Sequence, residues 1–270
     1  MTFLKLSERF EQKLLLPNQE LITGNHEWFD QDTKELYKTN LKEQPDDWYY
    51  RVNKVEYNLN SAGYRTKDFN QINWSKSIVI FGCSHVFGVG TSEEDTISGQ
   101  LESMTNCSVI NLGSTGSSSL FTLHNSILLN ESYPTPKAVV SIWTSPYRLP
   151  YYTEDRVMHC GNWNYDRFKI GYYWNIDKNN AITHLKLNAM TFQEFWKNKT
   201  NYFDLSLFYD TAKILNCEYV NQIDSARDLV KQKSGSYVAH QGKLTNKIIF
   251  QIRSVFNPLI VPWWPYAPRF

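Results

Sequence analysis

The stretch Ser77-Ile78-Val79-Ile80-Phe81 is a short, β-branched apolar run that stops at Gly82-Cys83-Ser84-His85, with Gly88 and Gly90 close behind. A run that is apolar at successive positions, not at every second one, suits a strand covered on both faces, as in a parallel sheet. A glycine at its end leads the chain into a turn and then a helix. The pattern therefore predicts an α/β unit that presents Ser84 at the C-terminal edge of a strand, where such sheets bind their ligands. Helix-start amides at that edge stabilise negative charge, and acyl transfer needs an exposed nucleophile beside such amides. The same serine also suits a helix cap, and the run alone leaves both roles open.

The rest of the chain repeats the unit. A helix is expected around Thr96–Met104, a second strand at Cys107–Leu112, and a helix through Leu129 after Gly113-Ser114-Thr115-Gly116. Ala138–Trp143 reads as a third strand, followed by a long insertion to about residue 190. Residues 192–215 read as mainly helical, Glu218–Ile223 as a fourth strand and Leu244–Val255 as a closing helix. Repeated β-α-β units predict a three-layer α/β/α sandwich with a central parallel sheet of flavodoxin-like type. Residues 1–74 read as an N-terminal extension with helices at Ser7–Leu16 and Asp30–Leu41 and a strand at Val55–Leu59. Residues 75–256 form the α/β domain. Residues 257–270 form a tail in which Pro258, Pro262, Pro265 and Pro268 exclude regular structure. The tail's aromatics are expected to cover the main domain or a second copy of the chain, making a homo-oligomer.

Composition removes several function classes. With 270 residues, 41% hydrophobic and 20% charged, the chain reads as a soluble globular protein with a sizeable core. A net charge of +1 gives no electrostatic case for nucleic acid. No apolar run reaches the length of a membrane span, and the charged, amphipathic start lacks the apolar centre of a secretory signal. A cytoplasmic site is expected, with reduced thiols at Cys83, Cys107, Cys160 and Cys217. A metal centre from Cys83, His85 and Cys107 matches no zinc spacing, so no metal and no cofactor are expected.

Gly82-Cys83-Ser84, then Asn111-Leu112-Gly113, then a late Asp and His together resemble the SGNH/GDSL hydrolases over residues 75–256. Tyr57-x-Leu59-Asn60-Ser61-x-Gly63-Tyr64-Arg65, and Ala226-Arg227-Asp228 with His240-Gln241-Gly242, are similar to a subgroup in phage and environmental bacterial proteins. A phage origin would make the protein virion-associated. The resemblance implies an α/β/α fold and an esterase, lipase or carbohydrate deacetylase activity. It implies Ser84 as nucleophile, His240 as base and Asp228 as the acid that orients it. It also implies an oxyanion hole from Ser84, Gly113 and the position held by Ser145.

The residues themselves support the same set. A serine hydroxyl is a poor nucleophile until a base accepts its proton, and His240 opens the segment leading to the closing helix. Asp224 competes with Asp228 as the orienting acid, while His85 and Cys83 compete as base and nucleophile. The chain departs from the family in two places. Three residues after Asp228 stands Lys231 rather than His, so 229–239 reads as an insertion. The block that supplies an Asn donor in the family reads Trp143-Thr144-Ser145-Pro146, with Thr144 and Arg148 as other donors. Aromatic residues make up 15% of the chain, and Tyr151, Trp163 and Trp174 stand in one crowded segment that suits a sugar-binding rim. The leading expectation is a serine esterase acting on an acylated small molecule or glycan, with carbohydrate O-deacetylation as its favoured form. An acyltransferase on the same triad and a non-catalytic glycan-binding or structural protein are the alternatives.

Overall fold

The computed structural model describes residues 22–30, 32–53, 55–152, 157–161 and 177–219. In chain order these form β1 (Gly24–His26), α1 (Lys34–Glu43), β2 (Tyr57–Leu59), β3 (Ile78–Gly82), α2 (Ser84–Phe87), α3 (Ile97–Thr105), β4 (Val109–Gly113), α4 (Ser119–Ser132) and β5 (Ala138–Trp143). The hairpin strands β6 (Leu149–Tyr152) and β7 (Val157–Cys160) follow. After them come α5 (Lys178–Trp196), β8 (Asn201–Ser206), α6 (Tyr209–Leu215) and β9 (Glu218–Tyr219).

Five strands form one sheet in the order β4-β3-β5-β8-β9, parallel throughout. β3 is thus paired on both sides, which is why every one of its residues is buried. Its alternate side chains separate the two layers. Ile78 and Ile80 pack with Ile97 and Leu101 of α3. Val79 and Phe81 pack with Leu123 and Leu129 of α4 and Phe192 and Trp196 of α5. The result is the α/β/α sandwich that the repeated units predict. The chain runs outward from β3 to β4 and then returns to β5 on the other side, so a topological switch point lies between β3 and β5.

Caps set where the helices start. Thr96 Oγ1 accepts the Gly99 amide at α3, Ser118 accepts the Phe121 amide at α4, and Asp177 accepts the Asn179 and Asn180 amides at α5. Each such cap contributes about 1 kcal/mol.

Two expectations need correction. Residues 192–215 are not one mainly helical stretch: α5 ends at Trp196, and β8 pairs along all of β5 from Ala138↔Asn201 to Trp143↔Ser206. Asn201-Tyr202-Phe203-Asp204-Leu205-Ser206 mixes polar and apolar residues with no clean period, and the open edge of β5 decides its state. The insertion expected to run to about residue 190 instead gives way to a helix well before that point. It carries the β6–β7 hairpin, and α5 already begins at Lys178. The helices expected at Ser7–Leu16 and Leu244–Val255, and the tail, lie outside the described residues.

The N-terminal region is built into the domain. Phe29 stacks on Phe87 of α2 with ring centroids 4.6 Å apart, within a buried cluster that includes Trp48, Val55, Tyr57, Leu59 and Val89. The hairpin is held on α4 in a similar way. Phe121, Leu128 and Val157 bury together with Tyr152, and the Tyr152 hydroxyl lies 3.2 Å from His124 Nδ1.

Burial holds the His124 imidazole down to about 4, against about 6.5 in an unfolded chain. Between these values the unfolded chain binds the proton and the folded one does not. The contribution of His124 to stability is therefore full above about pH 6.5 and declines as the pH falls towards 4. Thermal melts across that window should show a falling Tm, and His124→Gln should make the fall shallower. Equal slopes in both proteins would show that this ring does not take up a proton on unfolding.

Candidate active site

Ser84 is the first residue of α2, immediately beyond the central strand. β3 ends at Gly82, and Cys83 is buried and extended (φ −98°, ψ −155°). The Cys83 carbonyl accepts the Val86 and Phe87 amides at 2.9 and 3.0 Å. Gly88 then turns the chain with φ +83°, a left-handed conformation that favours glycine, and its amide donates to the Ser84 carbonyl at 2.9 Å. Ser84 is half-buried. As a helix-start group its own N–H has no intrahelical acceptor, and no other acceptor takes it among the described residues.

Gly113, at the end of β4, is the register partner of Gly82. The two therefore reach the same sheet edge side by side. A Cβ on Gly113 would lie 2.5 Å from the Phe87 nitrogen and 2.8 Å from Val86 Cβ. The Gly113 amide donates to Asn111 Oδ1 at 2.9 Å. Asn111 is itself buried and donates from Nδ2 to the Val86 carbonyl at 2.8 Å and to Ser98 Oγ at 3.2 Å. For the Gly113 N–H to meet an oxyanion, the Asn111 amide must first give it up. Ser145 lies past the end of β5, and its Oγ accepts the Tyr147 amide at 3.4 Å. It lines a cleft of about 620 Å³ with Lys178, Leu207, Phe208 and Lys213. Ser84 is not among the residues that line this cleft.

The His85 ring meets the Phe208 ring edge-on with centroids 6.0 Å apart, and Arg148 stands 5.7 Å from the centroid of that same ring. Burial and the Arg148 charge hold His85 down to about 4, so at neutral pH it is uncharged. Asp224, Asp228, His240, Trp163 and Trp174 lie outside the described residues. Tyr151 is on β6 and is 54% exposed. Cys83 follows the end of β3 and Cys107 precedes the start of the parallel neighbour β4. A strand of five residues, roughly 16 Å, separates the two ends, so Cys83, His85 and Cys107 are not brought together.

Sequence reasoning does not find two further contacts beside this edge. Ser114, directly after Gly113, is fully buried, and its Oγ lies 3.0 Å from His159 Nε2 on β7. The His159 ring also stands perpendicular to Phe121 at 4.6 Å. Asp30, in a left-handed turn at φ 55°, hydrogen-bonds Thr115, and desolvation raises its pKa. Neither pair has a sequence signal, because the partners are 45 and 85 residues apart.

No protein-family model matches the chain, and no curated protein matches it. Solved structures are similar to it at low identity. One is a member of the lipolytic protein G-D-S-L family from Veillonella parvula, 13% identical with a TM-score of 0.38, covering 68% of this chain and 99% of its own. Another is AlinE4, an SGNH-hydrolase family esterase, 13% identical with a TM-score of 0.38, covering 71% of this chain and all of its own. Likeness at this level carries no argument about chemistry, which rests on the residues described above.

The approach of α2 to β4 gives a direct prediction. Gly113→Ala should destabilise the protein by about 1–3 kcal/mol, because the atom that its Cβ meets is a backbone nitrogen that no rotamer change can move. Urea unfolding monitored by tryptophan fluorescence measures this. A cost below about 0.5 kcal/mol would mean that α2 moves away from the sheet edge freely.

Proposed function

We propose that this protein is a serine hydrolase of acyl esters, with Ser84 as nucleophile, His240 as base and Asp228 as the acid that orients His240. The reading is carried by the position of Ser84. It is the first residue of a helix, it follows the central strand of a parallel sheet, and it stands at the switch point between β3 and β5. Its amide, which no acceptor takes among the described residues, suits an oxyanion donor, a role worth about 3 kcal/mol of transition-state stabilisation. The order of the motif residues, which resembles the SGNH/GDSL hydrolases, supports the same reading.

In this mechanism Ser84 Oγ forms a bond to the ester carbonyl carbon while its proton passes to His240. The tetrahedral oxyanion collapses, the bond to the alcohol oxygen breaks, and His240 returns the proton to that leaving alcohol. Water then attacks the acyl-enzyme by the same route and releases the acid and free Ser84. A carbohydrate O-acetyl ester is the favoured substrate, supported by the exposed Tyr151 ring, with Trp163 and Trp174 in the same segment. One observation favours a second reading. The engagement of the Gly113 amide by Asn111 suits a non-catalytic, ligand-binding relative of the fold.

Hydrolysis of 4-nitrophenyl acetate separates the two readings. Ser84→Ala should lower kcat by about 10³-fold or more, while product binding persists. A wild-type protein with no turnover would favour the binding protein.

The pH profile assigns the base. A histidine of ordinary pKa gives kcat/KM an acid limb near 6.5, below which the protonated ring cannot accept the serine proton. His240→Ala should then remove the activity. A limb centred at about 4 would assign the base to His85 instead.

A further inference from the structure

The segment Tyr57–Arg65 precedes the α/β sheet in sequence, and the proposed chemistry gives it no role. Its polar side chains converge on the loop that follows Ser84. Arg65 is only 3% exposed. Its Nη1 donates to the Gly88 carbonyl at 2.7 Å and to the Phe87 carbonyl at 3.4 Å. Its Nη2 donates to the Thr91 and Glu56 carbonyls, both at 2.9 Å. The guanidinium stacks over the Tyr57 ring at 4.8 Å. The Tyr57 hydroxyl in turn accepts the Gly90 amide at 2.7 Å and donates to Asp32 Oδ2 at 2.5 Å. Tyr64 and Asn60 fix the approach of the arginine: Asn60 Oδ1 accepts the Ala62 and Tyr64 amides at 3.0 and 2.9 Å.

The backbone of residues 87–91 is buried, and buried carbonyls need donors. One planar guanidinium reaches three of them, those of Phe87, Gly88 and Thr91, from a single point, which a lysine ammonium on its flexible stem does not reproduce. The connection to the nucleophile is short. Arg65 holds the Gly88 carbonyl, and the Gly88 amide holds the Ser84 carbonyl. A displacement of Gly88 is therefore passed to Ser84 through one residue.

We infer that Arg65 is a positioning residue for Ser84: it sets the reactive orientation of the serine by clamping the 87–91 backbone. The inference rests on the reading of Ser84 as nucleophile. An error of about 1 Å at a reacting atom costs about 100-fold in rate, so a loosened loop is read in kinetics before it is read in folding.

A fluorophosphonate ester tests this. Ser84 Oγ bonds to phosphorus, fluoride leaves, and the hydroxyl proton passes to the base. The labelling rate is measured by intact mass and expressed per folded molecule, with the folded fraction taken from circular dichroism. Arg65→Lys should slow labelling about 10- to 100-fold. Arg51 is the control, because it clamps backbone carbonyls of Leu41, Gln44 and Pro45 in the N-terminal region in the same manner. Arg51→Lys should lower Tm and leave the labelling rate of folded molecules within about twofold of wild type. Equal slowing in both variants, or none in Arg65→Lys, would overturn the inference. Should Arg65→Lys fail to fold, Tyr57→Phe removes the acceptor of the Gly90 amide. It should slow labelling about 2- to 10-fold, and an unchanged rate would likewise overturn the inference. The two readings fail differently. Wild-type protein that takes up no label, or takes it up equally as Ser84→Ala, rejects the nucleophile and this inference together. Labelling confined to Ser84 with Arg65→Lys unaffected rejects this inference alone.

Discussion

The site depends on how closely the α2 turn lies against the ends of β3 and β4. Gly82 and Gly113 face each other in register, and neither has room for a side chain: Gly82 abuts Val86 and the Ile142 carbonyl, and Gly113 abuts Val86 and the Phe87 nitrogen. That contact determines where the first helical turn sits, and hence where Ser84 emerges. The left-handed Gly88 closes the turn from the other side. A serine held this way is placed by main-chain packing rather than by its own rotamer, and main-chain packing in a dense interior yields little.

Polar groups around this contact are arranged so that few face inward alone. Asn111 serves three partners at once: the Gly113 amide, the Val86 carbonyl and the Ser98 hydroxyl. Arg65 serves four carbonyls. Each side chain ties two or more chain segments together, so their cost of burial is offset by several bonds instead of one. His85, uncharged beside Arg148, adds no positive charge of its own next to Ser84 at neutral pH.

Much of the sheet was legible because its strands are short, apolar and bounded by glycine or polar turns. Ala138–Trp143 is a strand over the same six residues that the pattern marks. β8 was not legible, because Asn201–Ser206 has no period of its own and becomes a strand only through the edge that β5 offers. The position of Ser84 could be read from one local cue, a glycine that ends a buried run. The Ser114–His159 and Asp30–Thr115 contacts could not, since each joins segments that share no pattern in the chain. The motif around Tyr57 and Arg65 stood out in the sequence, yet its physical role did not. A buried arginine among carbonyls looks, residue by residue, like any surface charge.

The arginine clamp and the Phe29–Phe87 stack bear on what counts as one unit in this protein. The stretch that resembles a hydrolase begins near residue 75, but its first loop takes a donor from Arg65 and an acceptor from Tyr57, and an aromatic face for its first helix comes from residue 29. A cut between the two regions would take the Arg65 guanidinium from the Phe87, Gly88 and Thr91 carbonyls and the Phe29 ring from Phe87. The unit that folds is thus larger than the unit that can be recognised. In a lineage of such proteins, the preceding region would not be free to be lost or exchanged as an appended module is; it would have to change in step with the loop it completes.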